Sequence, residues 1–311
     1  ETQEKEVQIV DSENTGRIQY GSRWSNGLHE FVELKEGLPN NKMSFTVASI
    51  SHPSFFELYQ EIYGLTGTLG EDSEREEIKN VYHVDTFDVP PNKKCLRKRE
   101  KTLILKTDEK KMEIIIDKIN EMIELKRPIL IIVLTIEESK KLSKLLDSNK
   151  INHYVLNDQQ QQDEDFIVNK AGNPEAVTIA TNTAGRGTDI HINKQALANG
   201  GLHTLITFFP ANLRVECQAL GRSGRQGNPG SCQIIFTDND LGSDDLNNSN
   251  DEILQLAYYK RSIKIQKQSE TRMYRLEKEF ELTALLLMIG LSPVVCSIDE
   301  FTYIEEYLRK S

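Results

Sequence analysis

The chain has 311 residues, 38% of them hydrophobic, and a formal net charge of −10. This composition provides a core for one large domain or two ordinary ones, and it argues against wholesale disorder. The acidic balance is atypical of proteins that grip nucleic-acid phosphates, because those usually carry a basic face. The four cysteines, Cys95, Cys217, Cys232 and Cys296, lack metal-finger spacing, and the six histidines form no cluster. We expect free thiols in a reducing compartment and no metal site.

Two stretches depart from this average composition. One is a basic run, which we interpret as a solvated surface segment. Its basic residues are Lys93, Lys94, Arg97, Lys98 and Arg99. The other is the uncharged stretch Leu282–Ile298, which is at the short limit for a membrane span of about 20 residues and predicts a buried helix followed by a turn. The chain opens at Glu1 without a signal-peptide pattern, which fits a piece of a longer product or a processed one.

The first 80 residues or so mix short predicted elements. Val7–Val10 has the pattern of a strand. Gly27–Gly37 predicts a helix that is stopped by glycine and then by Pro39. Phe55–Tyr63 predicts a second short helix with a buried aromatic face.

From Val81 onward the alternation of helices and strands is clearer. Apolar residues recur at helical spacing from Met112 to Ile123, and the apolar run Ile129–Thr135 that follows is typical of a strand buried on both faces. Glu137–Asn149 is helical again. Four more short apolar runs predict strands. They are Tyr154–Leu156, Ala176–Ala180, Leu202–Phe208 and Gln233–Phe236. This alternation predicts an α/β fold with a mostly parallel sheet flanked by helices, in which ligands bind at loops past the carboxyl ends of strands.

Two polar segments interrupt this pattern. Asn157–Asp165 is glutamine-rich and Thr237–Asp251 is rich in Asp and Asn, so both predict exposed loops. The second loop separates the sheet domain from Glu252–Phe280, which predicts one long, highly charged helix. A helix that polar must lean on another surface or on a partner.

The most informative string is TIATNTAGRGTDI, Thr178–Ile190, where a strand runs into a loop with two glycines. Gly185 and Gly187 let the backbone approach a ligand closely. Arg186, between them, could reach a phosphate with two donors. Asp189 could fix an arginine or receive a nucleotide hydroxyl.

The second string is QALGRSGRQGNPG, Gln218–Gly230. Arg222 and Arg225 are three residues apart, so on one helical turn they would face the same way. Two such guanidinium groups repel each other unless an anion or acidic residues lie between them. A polyphosphate is one candidate, and a surface turn paired with local carboxylates is the other.

These strings resemble the fifth and sixth motifs of superfamily 2 motors, and in this form they are similar to the preprotein-translocase ATPase family SecA. The resemblance extends from about Val7 to Asp240. Gly16–Gly37 is similar to the segment where that family leaves its preprotein-binding domain and re-enters the first motor lobe. Phe55–Gly70 resembles the stretch that ends in the TGT motif. Two further stretches match the start of the second lobe, Pro128–Ser139 and Tyr154–Asn157.

The resemblance implies an architecture in three parts. Residues 1–80 would be the end of the preprotein-binding domain and of the first motor lobe. Residues 81–240 would be the second RecA-like lobe, the C-terminal lobe of a superfamily 2 motor. Residues 241–311 would be an acidic loop and a helical, scaffold-like segment. In this family ATP lies between the two lobes.

The resemblance also implies roles for individual residues. Arg186 and Arg225 would approach the γ-phosphate, Arg222 would assist, Asp189 would organise its loop, and Gln226 would sense the nucleotide. Further nucleotide-binding positions would be Gly185, Gly187 and Thr188. The residues that couple the lobes would be Thr66, Gly67 and Thr68. Mg²⁺ would be held by the first lobe.

The sequence also departs from a complete motor. It contains no G-x-x-x-x-G-K-[ST] phosphate loop and no DExD-type acidic motif after a strand. Between Phe208 and Leu220 the paired arginines usual in the family are missing, although Arg214 and Gln218 are kept. We therefore expect negligible ATPase activity from this chain by itself.

Three functions stay open at this point. The first is the arginine-bearing lobe of a protein-translocating ATPase, which would meet the first motor lobe, unfolded preprotein and a membrane channel. It would act in the cytoplasm or an organelle stroma, peripheral to the membrane. The second is a nucleotide-binding or scaffold module that has lost hydrolysis. The third is a nucleic-acid helicase lobe, which the acidic charge disfavours.

Overall fold

The computed structural model describes residues 6–9, 21–24, 27–38, 51–56, 58–156, 164–181, 189–241 and 249–288. The chain divides into two compact units. The sheet unit comprises residues 1–41 and 90–257, and the helical unit comprises residues 42–89 and 258–311. The three-part division at residues 80 and 240 stays a prediction.

A parallel sheet of seven strands forms the centre of the sheet unit, as counted over the described residues. The strands are β1 (Leu96–Arg99), β2 (Leu103–Leu105), β3 (Ile129–Val133), β4 (Tyr154–Leu156), β5 (Val177–Thr181), β6 (Leu202–Ile206) and β7 (Pro229–Thr237). Their order is β1-β7-β6-β3-β5-β4, and β2 also pairs with β7. Every recorded strand pair is parallel. The predicted α/β fold, a RecA-like parallel sheet flanked by helices, is confirmed.

The helices were predicted less completely than the strands of the sheet centre. They are α1 (Leu28–Lys35), α2 (His52–Phe56), α3 (Asp72–Tyr82), α4 (Asp108–Glu124), α5 (Ile136–Ser148), α6 (Glu164–Ala171), α7 (Lys194–Ala198), α8 (Leu213–Leu220) and α9 (Asn250–Met288). The predicted helices at 27–37, 112–123, 137–149 and 252–280 correspond to α1, α4, α5 and α9. None of the described helices is long and apolar enough to cross a membrane.

Strand β3 divides its side chains between two cores, one on each face of the sheet. Ile129, Ile131 and Val133 belong to one core, and Leu130 and Ile132 belong to the other. This alternation follows from the two-residue period of a strand. Helices α4 and α5 cover the first face and α6 and α8 the second, so β3 is buried along its whole length. The continuous apolar run in the sequence reflects this double burial.

The junction from β3 to α5 is fixed by a reciprocal cap. Thr135 Oγ1 accepts a hydrogen bond from the Glu138 amide at 3.1 Å, and the Glu138 carboxylate accepts one from the Thr135 amide at 3.4 Å. Two amides at the amino end of the helix, which would otherwise lack partners, are thereby satisfied.

Replacing Thr135 by alanine is expected to lower the free energy of unfolding by about 1 kcal/mol, because the cap loses its acceptor. Urea unfolding followed by circular dichroism measures this change. The control is Ser148→Ala at the other end of α5, where an exposed hydroxyl donates to the Lys144 carbonyl. If the two variants are equally stable, the cap does not contribute as expected.

In the helical unit, α9 leans on the two helices that precede the sheet in the chain. Arg272 donates two hydrogen bonds to the Glu77 carboxylate of α3, and Ser54 Oγ of α2 donates to Glu279 at 2.9 Å. Leu276 is buried. The expectation that so polar a helix needs a supporting surface is confirmed. The uncharged stretch from 282 enters the end of α9, and its residues 289–298 lie outside the described residues.

Two elements near the amino terminus were predicted wrongly. The helix expected at Phe55–Tyr63 is instead α2, which begins at His52 and ends at Phe56. The aromatic rings of this region pack edge to face with one another and with Tyr82, so they are partly covered without a longer helix. In the strand expected at Val7–Val10, residues 7–9 have no regular structure, and Val10 lies outside the described residues.

The two polar segments are only partly described. Helix α6 begins at Glu164, inside the loop predicted for Asn157–Asp165. Thr237 ends β7, and a short 3-10 helix, Asp238–Leu241, follows it in the second segment. Residues 157–163 and 242–248 lie outside the described residues.

Candidate functional site

The second arginine-bearing string forms a loop, residues 221–228, between α8 and β7. Helix α8 ends at Leu220, so Arg222 and Arg225 do not lie on one helical turn as predicted. Gly224, with φ 67°, takes the left-handed conformation between them, and Gln226, with φ 55°, takes it again. Glycine adopts this conformation at little steric cost, and it turns the chain away from the helical path. The loop leads into the amino end of β7 and does not follow the carboxyl end of a strand.

Arg225 is held at two places. Its Nη1 atom donates to Asp189 Oδ1 at 2.7 Å, and its Nε atom donates to the Gly221 carbonyl at 2.8 Å. The two charged side chains are 39% and 38% exposed. A half-exposed ion pair contributes little net stability, so its main effect is to orient the guanidinium. Of the two roles considered for Asp189, the structure shows the one in which it fixes an arginine.

Asp189 is placed by the segment that leads to α7. Ile190 and Ile192 pack against the core beside β5. Gly172 approaches so closely that a Cβ atom there would lie 1.9 Å from the His191 carbonyl oxygen. Asn193 then caps α7 by accepting from the Gln195 amide. The core contacts of Ile190 and Ile192 and the close approach of Gly172 to His191 therefore fix the backbone that follows Asp189.

Part of the basic run interpreted as a solvated segment is strand β1, which pairs with β7. Arg97 Nη1 donates to the Leu220 carbonyl at 3.0 Å and to the Ser223 carbonyl at 3.4 Å. Arg99 pairs at 2.8 Å with Glu216, whose carboxylate is only 2% exposed. The solvated interpretation is wrong for Arg97, which is partly buried because carbonyls at a helix end require donors. Arg99 is 48% exposed, as predicted, although it also pairs with a buried carboxylate. The exposed members of the run are Lys93, Lys94, Lys98 and Arg99.

Two glycines let the loop lie directly on these strands. A Cβ atom on Gly224 would lie 2.7 Å from Arg97 Cβ, and one on Gly230 would lie 2.6 Å from the Gly224 amide nitrogen. Real Cβ atoms essentially never come this close to another atom. The glycines of the GRSGRQGNPG string therefore serve the contact between the loop and the sheet.

The structure brings together only some of the predicted site residues. Asp189 and Arg225 are in contact, Arg222 is partly buried in the same loop as Arg225, and Gln226 is exposed. Arg186 lies outside the described residues, and so do its neighbours. The other predicted residues of that stretch are Gly185, Gly187 and Thr188.

The TGT residues belong to the helical unit, where Thr66 and Gly67 are exposed and Thr68 is partly buried. Thr66 Oγ1 lies 3.2 Å from both the amide nitrogen and the carbonyl oxygen of Thr68, so the two threonines and Gly67 form a local turn. The predicted role of these residues in coupling lobes stays a prediction. Within the described residues no group of three or more His, Cys, Asp or Glu side chains could hold a metal ion.

Comparison with known proteins identifies the family. The model of the SecA DEAD-like domain matches residues 3–79, and that of the SecA P-loop domain matches residues 94–197. A protein translocase subunit SecA of Syntrophus aciditrophicus is 42% identical over 232 residues, which cover 75% of this chain and 27% of that protein. One of Halothermothrix orenii is 40% identical over 246 residues, which cover 78% of this chain and 29% of that protein. The chain thus spans under a third of these relatives.

Solved structures resemble this chain only at low similarity. Saccharomyces cerevisiae Dbp5, solved with RNA and ADP BeF3, has a TM-score of 0.43 at 18% identity and covers 60% of this chain and 46% of its own. The family assignment depends on the sequence matches instead. Both family models and both translocase relatives agree, and this chain belongs to the SecA family.

Proposed function

We propose that this chain supplies the arginine side of an ATP site in a protein-translocating motor. The observation that carries the proposal is the Arg225–Asp189 pair, a half-exposed guanidinium held by an anionic oxygen at 2.7 Å. A position that accepts a carboxylate oxygen also suits a phosphate oxygen, because both are anionic acceptors of the same donors. Family membership supplies the nucleotide, since SecA proteins are ATPases.

The arginines of this chain would contact the terminal phosphate of ATP from one side of the site. When bound, ATP supplies the phosphoryl group whose transfer releases free energy. Arg225 has five N–H donors in a fixed plane, and it donates to Asp189 and to the Gly221 carbonyl. The proposed role of Asp189 is to hold the Arg225 guanidinium in place until a phosphate, which carries more negative charge, replaces the carboxylate. Arg222 and Arg186 would add positive charge to the same anion.

Positive charge on one side is not sufficient for turnover. The phosphate-loop lysine and the carboxylates that hold Mg²⁺ are absent from this sequence. The arginines then have no fixed phosphate to act on. The proposal therefore requires another lobe that carries those groups.

A chimera tests this proposal. The 232 matched residues of the Syntrophus aciditrophicus relative would be replaced by the corresponding residues of this chain. The chimera is expected to hydrolyse ATP within about tenfold of its parent, because the arginines of this chain would complete the parent's phosphate site. The unmodified chain is expected to hydrolyse ATP no faster than buffer. Both rates are measured as phosphate release.

Either of two results would contradict the proposal. One is turnover by the pure chain that is abolished by Arg225→Ala, which would show that no other lobe is required. The other is a folded chimera that binds ATP without hydrolysing it, which would favour the scaffold function. Salt-sensitive binding of the chain to single-stranded RNA would instead favour the helicase function.

The partners and the location are part of the same proposal. Unfolded preprotein and a membrane channel would be the partners of the complete motor, in the cytoplasm or an organelle stroma and peripheral to the membrane. Stimulation of the chimera's ATP hydrolysis by an unfolded preprotein measures this coupling. Hydrolysis that is indifferent to preprotein would count against a role in translocation.

A further inference from the structure

We propose that Arg97 is a positioning residue that holds the loop of residues 221–228, and with it Arg222 and Arg225, in the geometry needed at the nucleotide. Arg97 acts on two backbone carbonyls, that of Leu220 at the end of α8 and that of Ser223 in the loop, and not on a phosphate. The consequence for ATP turnover depends on the function proposed above. The mechanical part, in which Arg97 fixes the loop, can be tested without it.

Strand β1 presents two arginines to the same neighbour. Arg97 and Arg99 are two residues apart, so their side chains leave the same face of the strand, whereas Lys98 leaves the opposite face. Arg99 reaches Glu216 in α8, and Arg97 reaches the carbonyls of Leu220 and Ser223, where that helix ends. Strand β1 therefore contacts α8 at the middle and at the end of that helix.

The guanidinium of Arg97 supplies hydrogen bonds to carbonyl groups at the end of α8. The last carbonyls of a helix lack partners within it and carry partial negative charge. The Leu220 carbonyl accepts from Arg97, from the Ser223 amide at 3.3 Å and from the Ser223 hydroxyl at 3.2 Å. Ser223 is buried, so water reaches these groups poorly. A cation at this place stabilises both the helix end and the turn that leaves it.

Arg225 is mechanically connected to the same turn. Its Nε atom donates to the Gly221 carbonyl, one residue after the Leu220 carbonyl that Arg97 holds. A loop that shifts at residues 220–223 therefore carries this anchor with it and changes the direction of the bond to Asp189. A Cβ atom on Gly224 would lie 2.7 Å from Arg97 Cβ and 3.3 Å from Arg97 Cα, so the loop lies directly against β1 at Arg97.

The sequence of β1 provides matched variants. Arg97→Ala removes both bonds to the carbonyls. Arg97→Lys keeps the charge but cannot reproduce the planar fork of donors. Lys98→Ala removes a neighbouring charge from the opposite, exposed face and is the control. A purely electrostatic role for the basic run would make the Arg97→Ala and Lys98→Ala variants alike.

Hydrogen exchange measured by mass spectrometry on the whole chain is the first test. The amides of Arg222 and Ser223 donate to the Ala219 and Leu220 carbonyls at the end of α8, and the amide of Asn228 donates to the Arg225 carbonyl. In Arg97→Ala their exchange is expected to become roughly tenfold faster or more, the effect of losing a charge-assisted hydrogen bond. The amides of β3 should be unchanged, and Lys98→Ala should match the parent chain. If Arg97→Ala does not fold, Arg97→Lys takes its place with the same expectation. Unchanged exchange in the loop of a folded variant would overturn the proposal.

A double-variant cycle in the chimera is the second test. If Arg97 acts through Arg225, Arg97→Ala lowers turnover by itself but has little further effect once Arg225 is alanine. Equal effects in both backgrounds, or faster exchange without lower turnover, would reduce Arg97 to a structural residue and overturn the proposal. Failure of the nucleotide function is recognised separately, because Arg225→Ala would then leave turnover unchanged whatever the exchange shows.

Discussion

Replacing Arg225 by alanine is expected to lower the ATP turnover of the chimera by about a thousandfold, which corresponds to about 4 kcal/mol of transition-state stabilisation. An arginine that completes a phosphoryl-transfer site has this effect because it meets charge that develops on the transferred group. The Arg225 side chain is 39% exposed and solvent screens its ion pair with Asp189, so losing that pair should lower the free energy of unfolding only a little. ATP binding should weaken far less than turnover. Phosphate release at saturating ATP measures the loss.

Two further variants separate catalysis from general charge. Arg225→Lys keeps the charge and should recover only part of the turnover, because an ammonium group cannot make two parallel bonds. Lys140→Ala, on the exposed face of α5, removes a charge far from the loop in sequence and should leave turnover within about twofold. A loss of less than about tenfold in Arg225→Ala would mean that this arginine does not contact the reacting phosphate.

The centre of the fold could be predicted because burial on two sides leaves a clear signal. Strands β3 and β6 lie inside the sheet with helices on both faces, and their sequences are short apolar runs for that reason. The helices that cover them carry apolar residues at helical spacing, as Ile115 and Ile119 of α4 do. For these elements, one physical requirement determines both the sequence pattern and the structure.

The edge of the sheet could not be predicted in the same way. Strand β1 is Leu-Arg-Lys-Arg, in which no apolar alternation is visible. Charged edge strands are common because charge discourages unwanted pairing with another chain. Its strand conformation comes from β7, which pairs with it residue by residue from Leu96 to Arg99. No local pattern in the sequence carries that information.

The candidate site, too, could be predicted only in part from the sequence. The two glycine-rich strings pointed to Asp189 and Arg225, which the structure joins by an ion pair. The same reasoning placed Arg222 and Arg225 on one helical turn because it ignored the glycine between them, whose left-handed conformation ends that geometry. Arg97 was missed as a contributor because its partners are carbonyl oxygens, which every sequence contains. Its spacing of two from Arg99, beside an apolar residue, was the only available signal.

Acidification is expected to destabilise the sheet unit through His203. This side chain is completely buried in β6, with Nδ1 2.7 Å from Ser231 Oγ of β7. Burial, followed by the positive charges of Lys118 and Arg127, lowers the pKa of His203 from 6.5 to about 3. The nearby carboxylates of Glu121 and of Glu100, the latter 3.8 Å from Nδ1, do not compensate for these effects.

The sign of the effect follows from where the proton binds. Between pH 6.5 and about 3 the unfolded chain protonates this histidine and the folded chain does not. The unfolding free energy should therefore fall by about 1.4 kcal/mol for each pH unit below 6.5, or by roughly 3 kcal/mol at about pH 4.5. Urea unfolding at a series of pH values measures it. His203→Gln cannot titrate and should lose this part of the slope, whereas His52→Gln, which replaces an exposed histidine, should keep it. Equal slopes in the parent chain and His203→Gln would show that the buried histidine does not set the acid sensitivity.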